Sequence, residues 1–470
     1  GIKGDLDQEN LLLLAHSVFD ISKAYMVDSS VEVAPRDDDS TGLVSFGWKE
    51  MCTVVELELS LLYDILYTKA AVIHTWYGFS IRVTALSTTL AAFLLFQLSI
   101  KDGFSAVDIT VSYILVVGAL LLEIASVLRS IGSTWTCDLM HSRKWHRLLH
   151  MAVSLRRCVG AQSYRSWSGT ISQYNLLHLC THDTMDLSSK LTKKMGLEDL
   201  WKEVHFSWTL SMSSDVRELV FMQILEIMES SEDAVRNERG GWVLRRSGLY
   251  SDLRWSIDAD YHESILIWSI ATDIVIVCGE QANLEESASL RKATSALSNY
   301  ILFLLVALPS MLPGPLRRNL YEQTCNDLVD IWHHHGSTEP RDQASFGCNF
   351  AHTLKKLFSK DSPNSSRHRE REKLARILLS KKQNLQTNDS PGHTLLLGIQ
   401  LADQLLSKES DVPNLLQVIF GVWVETLCHA ANRCSRDSHA RQLSNGGELT
   451  SIVWLMSGLV GCLPKRQPGL

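Results

Sequence analysis

A chain of 470 residues with 52 acidic against 45 basic side chains has a net charge of −7, so its balance lacks the basic footprint of a nucleic-acid binder. Hydrophobic residues make up 45% of it and its mean hydropathy is near zero, between a soluble enzyme and a polytopic transporter, which suits a short membrane part joined to a larger water-facing part. Ten cysteines (Cys52, Cys137, Cys158, Cys180, Cys278, Cys325, Cys348, Cys428, Cys434 and Cys462) stand singly without CxxC, the pattern of a reduced, cytosol-facing chain.

The opening Gly1-Ile2-Lys3 has no initiator Met and no signal-peptide pattern, which predicts an incomplete N-terminus. Leu11 to Met26 spaces apolar residues at the helical period with polar breaks, giving an amphipathic helix too short and polar to cross a bilayer. Asp28 to Ser45 has a loop composition, with Pro35 and Gly42 around consecutive Asp37, Asp38 and Asp39. That acidic run offers oxygens to a hard cation, but without a regular ligand spacing or a closing Glu it reads as a solvated loop. Trp48 to Thr75 lacks Gly and Pro and keeps the helical period, so it predicts one helix leading to the membrane.

Two apolar runs follow, Val83 to Ile100 (VTALSTTLAAFLLFQLSI) and Ile109 to Leu128 (ITVSYILVVGALLLEIASVL). They hold roughly 18 and 20 residues, the length a helix needs to cross about 30 Å of hydrocarbon. Buried helices of a soluble protein are the alternative. The flanks favour spanning: Arg82 and Lys101 bracket the first run, Arg129 closes the second, and Trp76, Tyr77 and Trp135 stand where interfacial aromatics belong. Each helix then satisfies its own backbone in lipid while the Lys101 to Asp108 turn stays in water. Glu123 is the one suggestive ionisable residue inside a span. It lies about five residues from the helix end, roughly 7.5 Å, and so reads as reaching the interface sooner than lining a path.

Past the hairpin, Arg129, Arg143, Lys144, Arg147, Arg156 and Arg157 crowd within about 30 residues, whereas the turn sets Lys101 against Asp102 and Asp108. By the positive-inside rule both long arms face the cytosol. The cluster also offers anionic lipid about 1 kcal/mol per basic residue at the surface. Leu187 to Glu232 is helical in pattern, with Trp201, Phe206, Trp208 and Leu210 as core residues, and Arg239-Gly240-Gly241-Trp242 marks a turn. Ala288 to Met311 contains the apolar Leu302 to Leu308, too short to span and closed by Pro309, Pro313 and Pro315, which predicts a buried helix ended by proline, with a re-entrant or third span as the alternative.

His333, His334 and His335 invite a metal reading, but consecutive helical residues point in different directions, so a solvated helix end is the better account. Ser359 to His368 reads as a linker. The helix after it, Arg369 to Lys382, sets Arg369, Arg371, Lys373, Arg376, Lys381 and Lys382 around Leu374, Ile377, Leu378 and Leu379, a surface helix with a charged outer face or one laid on a membrane or partner groove. After a second polar linker, Gln386 to Gly392, three helices are expected at Thr394 to Ser407, Pro413 to Cys434 and Leu449 to Leu463. Cys428, His429, Cys434 and His439 supply zinc-type atoms at a spacing that matches no standard finger, and read as packed cysteines with polar histidines.

Several stretches carry a specific resemblance: YDILYTKAAVIHTWYGFSIRV from Tyr63, HESILIWSIATDIVIVC from His262, LSNYILFLLVALPSMLPG from Leu297, LLLGIQLADQLL from Leu395, and WVETLCHAANRCSRDSHARQLSNGGELTSIVWLM from Trp423. The chain resembles a large plant family of uncharacterised proteins with a domain of unknown function numbered 4220. Its last stretch resembles the companion domain of unknown function numbered 594. The resemblance implies an integral membrane protein with a helical cytosolic part, and supplies no activity or catalytic residues. It also implies apolar spans before Leu11 that this sequence lacks, so the chain reads as N-terminally truncated relative to the family.

The expected fold is all-α, a membrane helical hairpin followed by a large helical cytosolic region. The expected divisions are 1–47, amphipathic helix and acidic loop; 48–135, lead-in helix and hairpin; 136–358, helical cytosolic region; 359–393, basic linker and helix; and 394–470, C-terminal helical domain. No GxGxxG, Walker A loop, HExxH or GxSxG occurs, which weakens an enzymatic reading. The expectation is a membrane-anchored interaction or regulatory module, with a channel or transport component and then an enzyme of unfamiliar site as rivals. The lipid bilayer and protein partners are the expected associates, without nucleic acid, cofactor or metal.

Overall fold

The computed structural model describes residues 2–27, 47–68, 75–100, 103, 105–131, 133–136, 145, 151, 167–181, 208–230, 238–280, 287–315, 317–335, 364–380 and 392–462. The acidic loop at 28–45, Lys101, the basic residues Arg143, Lys144, Arg147, Arg156 and Arg157, Trp201, Phe206, and the linker at 386–391 lie outside the described residues. Among those described the fold is all-α but for one two-stranded ribbon. The chain divides into two compact units, residues 1–168 with 439–470, and residues 169–438.

The first unit begins with α1 (Ile2–Val27), which buries Leu12, Ala15, Val18, Phe19 and Ser22 at helical spacing. Helix α2 (Trp48–Tyr67) lays Met51, Val55, Glu58 and Leu62 along one buried seam against α1. The lead-in helix ends sooner than its composition suggests. Thr68 takes extended backbone, and Thr75 starts a separate helix by accepting the amide of Gly78 at 3.3 Å. That helix, α3 (Trp76–Leu98), packs side by side with α4 (Ala106–Ile131). Trp135, expected at an interface, instead presents itself edge-on to His16 and Phe19 of α1.

The second unit opens with β1 (Thr170–Gln173), α5 (Leu176–Thr181) and β2 (Trp208–Ser211), the strands pairing antiparallel with Ile171 opposite Leu210. Trp208 and Leu210 therefore stand on an exposed strand, not in a helical core. Helix α6 (Ser214–Glu229) follows, then α7 (Gly241–Arg246), which begins at the expected turn. Gly240 there has φ +112°, and a Cβ on it would also fall 2.9 Å from Val422 Cγ1, so both conformation and space demand glycine. Next come α8 (Tyr250–Asp258), α9 (Tyr261–Cys278) and α10 (Ala288–Ala307), whose Leu297 to Leu305 is buried and which ends at a short 3-10 turn, Pro309–Met311.

Helix α11 (Arg318–His335) packs on α5, and α12 (Asn364–Ser380) on α5 and α9. The latter starts five residues before the expected linker ends, directly after Pro363; polar composition does not by itself forbid a helix. Helix α13 (His393–Ser407) meets α9 most closely, because Gly398 brings the backbones together where a Cβ would lie 2.9 Å from that of Ile270. Helix α14 (Leu415–Arg433) runs along α10 and α6. Helix α15 (Arg436–Leu443) contains the division, and α16 (Leu449–Cys462) belongs to the first unit, packed on α1 and α2. There Trp454 stacks with Tyr25 at 4.9 Å and with His439 at 4.6 Å between ring centres, and the Tyr67 hydroxyl donates to the Ala440 carbonyl at 2.9 Å.

Candidate functional site

Apolar side chains that a water-soluble surface would hide concentrate on the α3 and α4 hairpin. Ile81, Leu94, Leu95, Ile114, Leu115, Leu121 and Leu122 are all exposed, and none of the apolar window of either helix is buried. Such a continuous patch marks a lipid or partner surface. Polar groups bind the pair at both ends of its seam. Arg82 Nη1 donates to the Ser126 carbonyl at 2.8 Å and Oγ at 3.0 Å, and the Tyr113 hydroxyl donates to Gln97 Oε1 at 2.6 Å beside an edge-on contact with Phe96. Arg82, expected as a flanking charge, thus also locks one helix to the other. Glu123 is half-buried, one turn before Ser126.

Within the second unit a buried polar centre gathers four elements. Asp273, 1% exposed on α9, accepts from Asn175 Nδ2 at 2.8 Å and pairs with the Arg371 guanidinium of α12. Asn175 also donates to Asn299 Oδ1 at 2.9 Å on α10, while its own Oδ1 accepts the amide of His178 and so caps α5. Arg371 belongs to the run expected to face outward. Its inward turn seats the basic helix on this unit with Leu374, Ala375 and Leu378 buried. Nearby, the hydroxyls of Tyr174 and Tyr321 meet at 2.6 Å. Burial raises the pKa of both phenols, so they stay neutral.

The residues singled out for metal chemistry do not converge. His333 and His334 lie exposed at the end of α11. In the second unit Cys428 and His429 are buried in α14, His429 near the Tyr261 ring, and the Cys434 thiol donates to the Ser310 carbonyl at 3.4 Å. In the first unit His439 Nδ1 lies 3.0 Å from Ser451 Oγ. Among the described residues no group of three or more His, Cys, Asp or Glu is placed to hold a metal.

Besides Asp273, two fully buried carboxyls escaped the sequence reading. Glu425 of α14, fully buried, accepts the amides of Trp242 at 3.3 Å and Val243 at 3.1 Å, holding the start of α7. Glu58 of α2 is fully buried in the first unit. Neither of its oxygens reaches hydrogen-bond geometry, and burial raises its pKa well above 4.5, with the neighbouring Ser22 hydroxyl offsetting only part. Its signal was present: Glu58 continues the three-four spacing of Met51, Val55 and Leu62, which places it on the apolar seam.

The family comparison agrees with the resemblance read from the sequence. Residues 2–180 match the family model described as Domain of unknown function (DUF4220), and residues 408–461 match that described as Protein of unknown function, DUF594. Each match crosses the division between the two compact units. No curated protein and no solved structure matches the chain.

Proposed function

We propose, starting from a chain that carries the DUF4220 and DUF594 regions, that it is a membrane-anchored helical protein whose hairpin enters the bilayer and whose remaining residues form a cytosolic interaction or regulatory module. The observation that supports it is the pair α3 and α4, long enough to cross and exposing large apolar side chains from Ile81 to Leu122. Packed against each other on one seam only, the two helices present a surface that costs least in hydrocarbon. The basic residues that follow Leu128 support cytosolic arms, and two crossings return the chain to the side on which it began. The large helical part then meets protein partners of the cytosol.

Alkaline extraction of membranes tests the anchor: the chain stays in the pellet, and its release into the supernatant overturns the reading. Sidedness is read by glycosylation. An acceptor in a lengthened 101–108 turn becomes glycosylated while the natural acceptor Asn364-Ser365-Ser366 does not. A glycan at Asn364, removed by endoglycosidase and absent from Asn364→Gln, reverses the orientation.

A further inference from the structure

Two exposed features of the second unit adjoin the same short helix, α5: the basic helix α12 packs on it, and Trp208 of β2 meets its His178 edge-on at 5.8 Å between ring centres. On α12 the apolar side is already covered, because Leu374, Ala375 and Leu378 are buried and Arg371 is held by Asp273. What α12 turns outward is a row of cations. Arg369, Lys373 and Arg376 are exposed at spacings of four and three, which brings them onto one side of the helix, while Glu370 and Glu372 are half-buried. Lys373 Nζ sits 5.7 Å from the centre of the Trp332 ring of α11, which steadies one member of the row. On β2, Trp208 and Leu210 are 39% and 37% exposed, and as alternate residues they share one side of the strand, opposite Gln173 and Ile171 of β1. A single exposed apolar residue needs no explanation. A tryptophan and a leucine side by side, bordering the same helix as a cationic row, do.

We propose that this face docks the second unit on the surface of an anionic lipid bilayer, with Arg369, Lys373 and Arg376 at the headgroups and Trp208 and Leu210 at the boundary between headgroups and acyl chains. The inference rests on the cytosolic placement proposed above, because the cytosolic leaflet is the one that carries anionic lipid. Charge complementarity selects the occupant: each cation near such a surface contributes about fivefold in affinity, so the row gives roughly a hundredfold. The indole adds what a purely electrostatic contact would not use, an amphipathic ring whose apolar body enters the interface while its N–H stays with the headgroups. A helix laid in the bilayer would need its apolar side free, and that side of α12 is packed on α5 and α9. The contact is therefore one of a folded surface resting on lipid. The hairpin anchor raises its occupancy by keeping the unit near the bilayer.

The test uses the full chain reconstituted in nanodiscs of phosphatidylcholine alone, or of equal parts phosphatidylcholine and phosphatidylserine, with hydroxyl-radical oxidation measured residue by residue. Oxidation of Trp208, normalised to that of Trp242 on α7, is expected to fall several-fold in the anionic discs and to recover at high salt. The side chains of the cationic row are exposed, so the combined variant Arg369→Gln, Lys373→Gln, Arg376→Gln should keep the unfolding midpoint and lose the protection. The first comparison needs no variant, so misfolding of that one does not spare the proposal. Equal oxidation of Trp208 in the two discs overturns it. Protection by soluble polyglutamate where phosphatidylserine gives none also overturns it, and assigns the face to an acidic protein segment. Failure of the chain to enter discs of either lipid sinks the anchor instead. The same oxidation is then measured with the chain added to preformed vesicles of the two compositions: protection of Trp208 by the anionic vesicles supports the docking face, and unchanged oxidation overturns it.

Discussion

The hairpin helices α3 and α4 and the pair α9 and α14 all have the length and apolar composition to cross a membrane. None of the apolar window is buried in the first pair, against 83% and 89% in the second. The difference lies in where their polar minority finds partners. In the hairpin, Thr84, Thr88, Thr89, Thr110 and Ser112 return their hydroxyls to carbonyls one turn earlier in the same helix, so the outer surface needs nothing from its surroundings. In α9 and α14 several polar groups reach other elements: Asp273 to Asn175 and Arg371, Trp423 Nε1 to Thr272 Oγ1 at 3.0 Å, Glu425 to the backbone of α7. Apolar composition says that a helix leaves water. The partners of its few polar atoms say whether other helices hold it.

The sharpest way to break that contrast is Asp273→Ala, which strands the Arg371 guanidinium in the second unit. A loss of about 3–5 kcal/mol is expected, read from denaturant unfolding of the purified chain, with membrane attachment unchanged. An unaltered midpoint would show that the buried centre does not hold α9 among the other helices. The converse change is Leu115→Arg, on the exposed face of α4. It should cost about 2.5–3.5 kcal/mol of insertion, seen as a larger alkali-extractable fraction, while the second unit keeps its unfolding midpoint.

A smaller effect is read by pH in the first unit. Glu58 has its folded pKa raised above the ordinary 4.5, so the stability it contributes is complete below that value and is lost as pH rises through the folded pKa, at about 1.4 kcal/mol per pH unit. Glu58→Gln should flatten that loss. Parallel stability curves for the two proteins would show that the carboxyl does not titrate as its burial demands. Least of all, Trp423→Phe should cost about 1 kcal/mol for its buried hydrogen bond, and Thr88→Val no more than about 0.5 kcal/mol, because its hydroxyl serves only its own helix. Equal costs would erase the distinction between inward and self-contained polar groups.

How far the amino-acid sequence reveals this arrangement depends on the range of each interaction. The two apolar runs, the proline stop after Ala307 and the Gly240 turn rest on neighbours a few residues apart, and they are legible. Asp273 and Arg371 are 98 residues apart, so nothing local marks Arg371 as the one member of a basic run that turns inward. The β1 and β2 ribbon was missed for the same reason: each strand has four residues, and only their pairing makes them strands. Four consecutive exposed positions on β2 give no alternation to read. Glu58 was the one avoidable miss, since its position on the seam follows from period alone.

The packing of α16 on α1 and α2 sets an order of events during biosynthesis. Helices α1 and α2 leave the ribosome early, but α16, which packs on both, is made only after residues 169–438, roughly 20 to 90 seconds later at ordinary elongation rates. The second unit is continuous and can close while that interval runs. The first must wait with its apolar seam incomplete. Nascent chains stalled before Leu449 should therefore be cut by protease within α1 and α2, and chains stalled after Cys462 is fully exposed from the exit tunnel should resist. Completion of the packing around α1 and α2 is in this sense a late event, timed by the synthesis of α16.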